Sequence, residues 1–234
     1  MSGTLYGLGV GPGDPELVTA KALSVLRNLP VVAYLAPPEG ASFARSVVAS
    51  RLSPAQTEIA IRVPMTRSVA PAQAVYDRAA LEIGEHLRAG RDVGVLCQGD
   101  PFFYGSFIQL FERLAADFPT KVVPGVSSLT ACAAAAGVPL VTRDESLTIL
   151  PATLAEAALE KRLKQAEAAA ILKLGRHLPK VRRILKRLGL ADRATYVEHA
   201  SLESQKVLAL EAVDPASAPY FSMVIVRRGG RNAR

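Results

Sequence analysis

The chain has 234 residues, half of them hydrophobic and about a fifth charged. That is ordinary globular composition, long enough for one large domain or two small ones, and it excludes a disordered chain. The formal net charge is +7 and unevenly spread: residues 1–142 carry 11 Lys/Arg and 11 Asp/Glu, whereas residues 143–234 carry 17 and 10. A basic C-terminal part suggests an anionic partner (nucleic acid, a membrane surface or a polyanionic small molecule), against the plainer reading of a solvated basic surface. No apolar run is long enough to span a bilayer, so no membrane partner is expected. The N-terminal MSGTLYGLGV lacks the basic start of a secretion signal. Cys97 and Cys132 have neither metal-site nor disulfide spacing, read as small buried hydrophobes, and fit a reducing cytoplasm with no bound metal.

Strand patterns fall at 4–10, 31–35, 58–63, 92–97 and 121–124. Helical periodicity falls between them at 15–27, 42–51, 70–89 and 104–116, with a further helix at 128–136. This alternation predicts a parallel sheet covered by helices. Short continuous apolar runs such as VGVLC predict strands buried on both faces. The second half offers strands at 146–150, 169–174, 195–198, 206–211 and 221–227, with helices at 154–165 and 180–188. Little helical pattern separates the last two strands, which predicts that they pair antiparallel in a mixed sheet. The break at GVPLVTRD, residues 137–144, sets the expected domains at 1–138 and 139–234. The fold expected is therefore two α/β domains, the N-terminal sheet parallel and the C-terminal sheet mixed, with the active-site cleft between them.

The stretch GLGVGPGDPELVTAKA, residues 7–22, follows a strand and opens a helix, the setting of a dinucleotide fingerprint. The detail differs. Pro12 removes a backbone donor, and Asp14 places a negative charge at the helix entry. A loop of this kind suits a neutral or cationic ligand, or is a tight turn with no ligand. LCQGDPFFYGSF, residues 96–107, repeats the logic, with Gly99 for close backbone approach and Asp100 as a carboxylate for an ammonium, a ribose hydroxyl or a helix cap. In VVPGVSSLTA, residues 122–131, Ser127 and Ser128 offer two hydroxyls.

These loops, together with VPMT (63–66), SLTILPAT (146–153), ILKLGR (171–176) and YVEHASL (196–202), resemble the tetrapyrrole methylase family over essentially the whole chain. Within it, YGLGVGPGDPELVT, VPMT, GDPFFYGSF and LTILPAT are similar to the branch that methylates C20 of precorrin-2. The resemblance implies S-adenosylmethionine as cofactor, a tetrapyrrole as substrate, a homodimer and no nucleic-acid partner. It implies cofactor contacts at Pro12, Gly99, Asp100, Ser127, Ser128, Leu174, Ala200, Pro219, Tyr220 and Phe221. Candidates for the substrate are Asp14, Arg62, Arg67, Tyr104 and Arg143, the arginines as carboxylate partners. The densest basic stretch, RHLPKVRRILKR at 176–187, predicts a helix with a stripe of Val181, Ile184, Leu185 and Leu188. Lys180, Arg183 and Arg187 then share one flank, and Arg182 and Lys186 the other. These flanks either meet substrate carboxylates or form an exposed face. No catalytic base is assigned: His86, His177 and His199 are isolated, and His86 reads as part of an exposed helix. Other tetrapyrrole substrates, including cobalt-factor II and uroporphyrinogen III, remain alternatives, as do RNA ribose methylation and binding without turnover.

Overall fold

A computed structural model of the chain describes residues 1–64, 69–214 and 216–229 and, of residues 69–71, the backbone alone. The chain divides into two compact units, Met1–Ser127 and Ser128–Arg234.

The first unit holds a parallel sheet of β1 (Leu5–Gly9), β2 (Val31–Ala36), β3 (Thr57–Arg62), β4 (Val93–Cys97) and β5 (Thr120–Val123), in the order β3-β2-β4-β1-β5. Strand side chains alternate between faces, so each face carries its own core. Val32, Tyr34 and Leu8 pack under α1 (Ala20–Asn28) and α2 (Phe43–Val47). Val31, Ala33, Leu5 and Val95 pack under α3 (Val69–Arg88) and α4 (Phe107–Leu114). Gly7 is required by the second core, because a Cβ there would lie 2.6 Å from the Phe107 ring.

Two expected helices are divided. Within 15–27, a 3₁₀ turn at Pro15–Leu17 gives way to extended Val18, and α1 starts afresh behind Thr19, whose Oγ1 accepts the Ala22 N–H at 3.2 Å. Within 42–51, Ser42 caps α2, and a separate 3₁₀ turn follows at Ala49–Arg51. The helix expected from 104 begins at Phe107, since Tyr104 has φ of +55° and Gly105 lies too close to the Pro101 carbonyl to carry a Cβ.

The second unit contains α5 (Ser128–Ala136), β6 (Leu147–Pro151), α6 (Glu156–Gln165), β7 (Ala168–Leu172), α7 (Leu178–Arg187), β8 (Ala194–Glu198), β9 (Lys206–Ala209) and β10 (Ser222–Arg227). Its sheet order is β6-β7-β10-β8-β9, with β6 and β7 parallel and the other pairs antiparallel, so the sheet is mixed. The expected pairing of the last two strands does not occur. β10, buried at every residue, enters between β7 and β8, while the mostly exposed β9 stays at the edge. Met223–Val226 is a run of four apolar residues, three of them β-branched, that needs cover on both sides, whereas β9 opens on Lys206 and has one β-branched residue, Val207. The helix α5 packs on β8 and β10, which places it in the second unit, whereas the expected boundary at 138/139 had put it in the first.

Candidate active site

In the first unit the helices after β1 and β4 cover opposite faces of the sheet, so the carboxyl ends of these adjacent strands are the sheet's topological switch point, where ligands of open α/β sheets gather. Across it Gly99 N–H donates to the Gly11 carbonyl at 2.7 Å, and Gly11 N–H donates back at 3.4 Å. Both glycines have positive φ, +77° at Gly11 and +67° at Gly99. The loop after β5 closes against them: a Cβ on Gly125 would sit 2.0 Å from the Gly99 carbonyl, and one on Gly9 would sit 2.4 Å from the Gly125 nitrogen. The glycines that suggested close approach to a ligand thus permit three loops to touch one another. Asp100 ties the same loops: Oδ1 accepts the Phe102 N–H at 2.9 Å, and Oδ2 accepts the Gly125 N–H at 3.1 Å. It does not cap α4, whose N-cap position is Ser106. Pro12 and Gly99 are buried, Asp100 and Ser127 half-buried. Beneath them, burial pushes the Cys97 thiol up to about 12.

In the second unit the carboxyl ends of β7 and β8 and the start of β10 share one end of the sheet, as the pairs Met223–Leu172 and Ser222–Glu198 require. Leu174, Ala200 and Pro219–Phe221, far apart in sequence, therefore converge. His199 N–H donates to the Phe221 carbonyl at 3.0 Å, and a Cβ on Gly175 would lie 3.8 Å from Tyr220 Cα. Leu174 and Ala200 are buried, whereas Tyr220 and Phe221 are 55% and 40% exposed. Lys173, His199 and Ser201 in this rim all have positive φ, a conformation that L-residues adopt at a cost. The His199 ring nitrogen Nδ1 lies 3.3 Å from Ser204 Oγ. Ser128 opens α5. His177, just past Leu174, is held below its ordinary value by burial and by Lys180 and Arg176.

The substrate candidates are not gathered in this way. Asp14 Oδ1 accepts the Glu16 N–H at 2.8 Å and so caps the 3₁₀ turn. Arg62, at the end of the edge strand β3, donates to the carbonyls of Pro37 and Pro38 at 3.0 and 3.2 Å. Arg67 lies outside the described residues. Tyr104 is 48% exposed, its ring 5.2 Å from Phe103 in an edge contact. Arg143 stands at the wrong end of the second sheet to join Leu174, Ala200 and Pro219–Phe221. Its neighbours Thr142 and Glu145 are bonded to Arg227, the last residue of β10.

The basic helix has the stripe and flanks expected, with Val181, Ile184 and Leu185 fully buried. Its charges, however, are engaged inside the second unit. Arg183 and Arg187 pair with Glu156 at 2.9 and 3.1 Å, Arg187 also with Glu160 at 2.5 Å, and Arg182 and Lys186 with Glu211 at 2.6 and 3.1 Å. Lys180 donates to the Leu154 carbonyl at 2.5 Å. The exposed reading of His86 is also corrected: it is half-buried, with Nδ1 buried and without a hydrogen-bond partner. Two features were missed by reading the sequence. Gly125 is visible only as one more Pro-Gly, and the Tyr196–Glu198 pair was signalled by its i, i+2 spacing in a strand, which puts both on one face.

A parallel sheet with loops crossed at its switch point, followed by a mixed sheet with a rim of strained loops, defines the class of protein. Residues 4–214 match the Tetrapyrrole (Corrin/Porphyrin) Methylases, and the chain belongs to that family. It is 42% identical over 232 residues to the precorrin-2 C(20)-methyltransferase of Sinorhizobium sp, covering 96% of this chain and 95% of that one. It is 31% identical to the cobalt-precorrin-2 C(20)-methyltransferase of Salmonella typhimurium, covering 97% and 98%. Among solved structures, the cobalt precorrin-4 methyltransferase CbiF matches with a TM-score of 0.76 at 22% identity, covering 96% and 94% of the two chains. The uroporphyrin-III C-methyltransferase of Thermus thermophilus, solved in complex with S-adenosylhomocysteine, matches with a TM-score of 0.70 at 25% identity, covering 96% and 92%.

Proposed function

We propose that the chain transfers a methyl group from S-adenosylmethionine to C20 of precorrin-2, giving precorrin-3A in corrin biosynthesis, and works as a cytoplasmic homodimer. The observation that carries this reading is the 42% identity, sustained over 96% of the chain, to a precorrin-2 C(20)-methyltransferase. The 31% identity to the cobalt-precorrin-2 enzyme favours the metal-free substrate.

The loops of the first unit fit the cofactor by their chemistry. The amides of Gly11 and Gly99 are engaged with each other, Pro12 has none, and Asp14 and Asp100 add negative charge. That arrangement disfavours a pyrophosphate, which needs aimed N–H donors, and suits a cationic or zwitterionic ligand. Each Asp100 oxygen accepts one amide, and a carboxylate oxygen accepts two, so capacity remains for an ammonium or a hydroxyl. Pro12, Gly99, Asp100 and Ser127 of the first unit, with Ser128, Leu174, Ala200 and Pro219–Phe221 of the second, are the residues that would hold the cofactor. When bound, it supplies a methyl group on a sulfonium, an activated donor. The chain's part is then to orient the reacting pair and exclude water. A reduced tetrapyrrole is electron-rich at C20 through its pyrrolic nitrogens, so its proton leaves after attack, and no residue is assigned to take it.

Methylation of RNA is the rival of a different class. It would draw on the basic residues of α7, and the pairing of those residues with Glu156, Glu160 and Glu211 counts against it. The test is an anaerobic incubation with precorrin-2 and methyl-labelled S-adenosylmethionine, read by mass spectrometry and carbon NMR. One added methyl at C20 is expected, with less product from cobalt-factor II. Cofactor binding without methylation of either tetrapyrrole would overturn the substrate and leave the family intact.

A further inference from the structure

The chain contains seven phenylalanines and six tyrosines. Four of them are exposed, Phe102 and Tyr104 in the first unit and Tyr220 and Phe221 in the second. All four lie on loops at the sheet ends described above, and the second pair falls among the proposed cofactor contacts. Phe102 is not one of those contacts. Its loop leaves the carboxyl end of β4, at the switch point of the parallel sheet, directly after Asp100 and Pro101. The ring meets Phe111 at 5.0 Å in an edge contact and Phe107 at 5.9 Å. Both partners come from α4, and 49% of Phe102 is still exposed. Tyr104, two residues on, is likewise exposed, with its ring against Phe103.

The loop that carries these rings is firmly held. The Phe102 N–H donates to Asp100 Oδ1 at 2.9 Å, and the Phe103 N–H to the Asp100 carbonyl at 3.4 Å. Tyr104 has φ of +55°, and Gly105 packs so closely that a Cβ there would lie 2.3 Å from the Pro101 carbonyl oxygen. Strain of this kind persists only where the surroundings over-determine it. Apolar side chains fixed beforehand lose little freedom when a ligand covers them. Charge offers no comparable grip: Arg182, Arg183, Lys186 and Arg187 of α7 are paired with glutamates, and Arg62 is turned onto the Pro37 and Pro38 carbonyls. A tetrapyrrole presents an apolar ring system with its carboxylate arms at the rim, so the surface that suits it is apolar at its centre. We infer that Phe102, with Tyr104 beside it, is the ledge on which the substrate's ring system rests, and that Phe102 sets the affinity for the tetrapyrrole and not for the cofactor. The inference rests on the proposed reading of the substrate.

The test compares Phe102→Ser, Phe102→Leu and Phe102→Tyr with the unaltered protein. The readouts are anaerobic steady-state kinetics with precorrin-2, calorimetric binding of S-adenosylhomocysteine, and sedimentation. Phe102→Ser is expected to raise KM for precorrin-2 about ten- to a hundredfold and to change kcat less than about threefold, because the lost contact is made before and during the reaction alike. Phe102→Leu, which still covers Phe107 and Phe111 but has no flat ring, should fall between the two. Phe102→Tyr, which keeps the ring, should hold KM within about twofold. Affinity for S-adenosylhomocysteine and the sedimenting mass should move in none of the three. An unchanged KM in Phe102→Ser would overturn the inference. So would a loss of S-adenosylhomocysteine binding in step with KM, the sign of a general defect in the loop. A fall in mass would also overturn it and make the ledge a contact between copies of this chain. If the unaltered protein methylates a different tetrapyrrole, the precorrin-2 reading fails, and the same comparison with that tetrapyrrole still decides the role of Phe102. If it methylates none, both fall together.

Discussion

Asp100 shows how one side chain can serve two ends. Its carboxylate gathers the Phe102 and Gly125 amides and so holds two loops in register, and it is also the proposed cofactor contact. Asp100→Ala is expected to cost about 1–3 kcal/mol of stability, from two lost charge-assisted bonds, and to weaken S-adenosylhomocysteine binding at least tenfold. Urea denaturation and calorimetry measure the two effects separately, and unchanged affinity would remove Asp100 from the site. Gly125→Ala attacks the same contact from the backbone side. Its Cβ would fall 2.0 Å from the Gly99 carbonyl, and overpacking of this kind costs about 1–3 kcal/mol or more. Glu145 is held below its ordinary value of 4.5 by the Thr142 amide first, then by Arg227 and the Thr142 hydroxyl. A carboxylate depressed on folding contributes stability above its unfolded value, and the contribution disappears as pH falls through the folded value. Glu145→Gln should therefore lower the midpoint of urea unfolding at neutral pH and flatten its fall in acid. A parallel acid limb in the two proteins would show that this carboxylate carries none of the dependence. Burial pushes both thiols up to about 12, so neither Cys97 nor Cys132 should react with a disulfide reagent near about pH 8 until the protein is unfolded.

Among the elements, α3 offers the plainest gain. Gly84 lies inside that helix, and the nearest atoms a Cβ there would meet are those of the Arg88 guanidinium, at 3.5 Å or more, an ordinary contact. Gly84→Ala should raise stability by about 0.5–1 kcal/mol through the entropy of the unfolded chain, readable as a higher urea midpoint. The elements also show how far the sequence could be read. Strand positions were legible because VVAYLA, VGVLC and SMVIVR are short, apolar and rich in branched residues. The α7 stripe and its flanks were legible from helical spacing alone. The division of the helix at Val18–Thr19 was written in the caps, Asp14 and Thr19, but periodicity runs through it unbroken. Strand neighbours were not legible: whether β10 pairs with β9 or enters between β7 and β8 depends on burial elsewhere in the unit. Nor was the allegiance of α5, because SLTACAAAA has little amphipathic direction to show which sheet it covers. At the site, Asp100 and the glycines were visible, but their mutual packing was not, since Gly9, Gly99 and Gly125 meet only once β1, β4 and β5 lie side by side.

At the scale of the molecule, each unit brings its own distant residues together at one sheet end: Pro12, Gly99 and Asp100 in the first, and Leu174, Ala200 and Pro219–Phe221 in the second. The parallel sheet of the first unit is joined one strand before its last: β4 enters between β1 and β2, and β5 then adds beside β1. The second sheet waits longer. Its central strand is its last, and until residues 222–227 exist, β7 and β8 have nothing to bond to between them. A ribosome making this chain therefore holds the second unit in two halves until residues 222–227 are made, exposing two strand edges that invite mispairing.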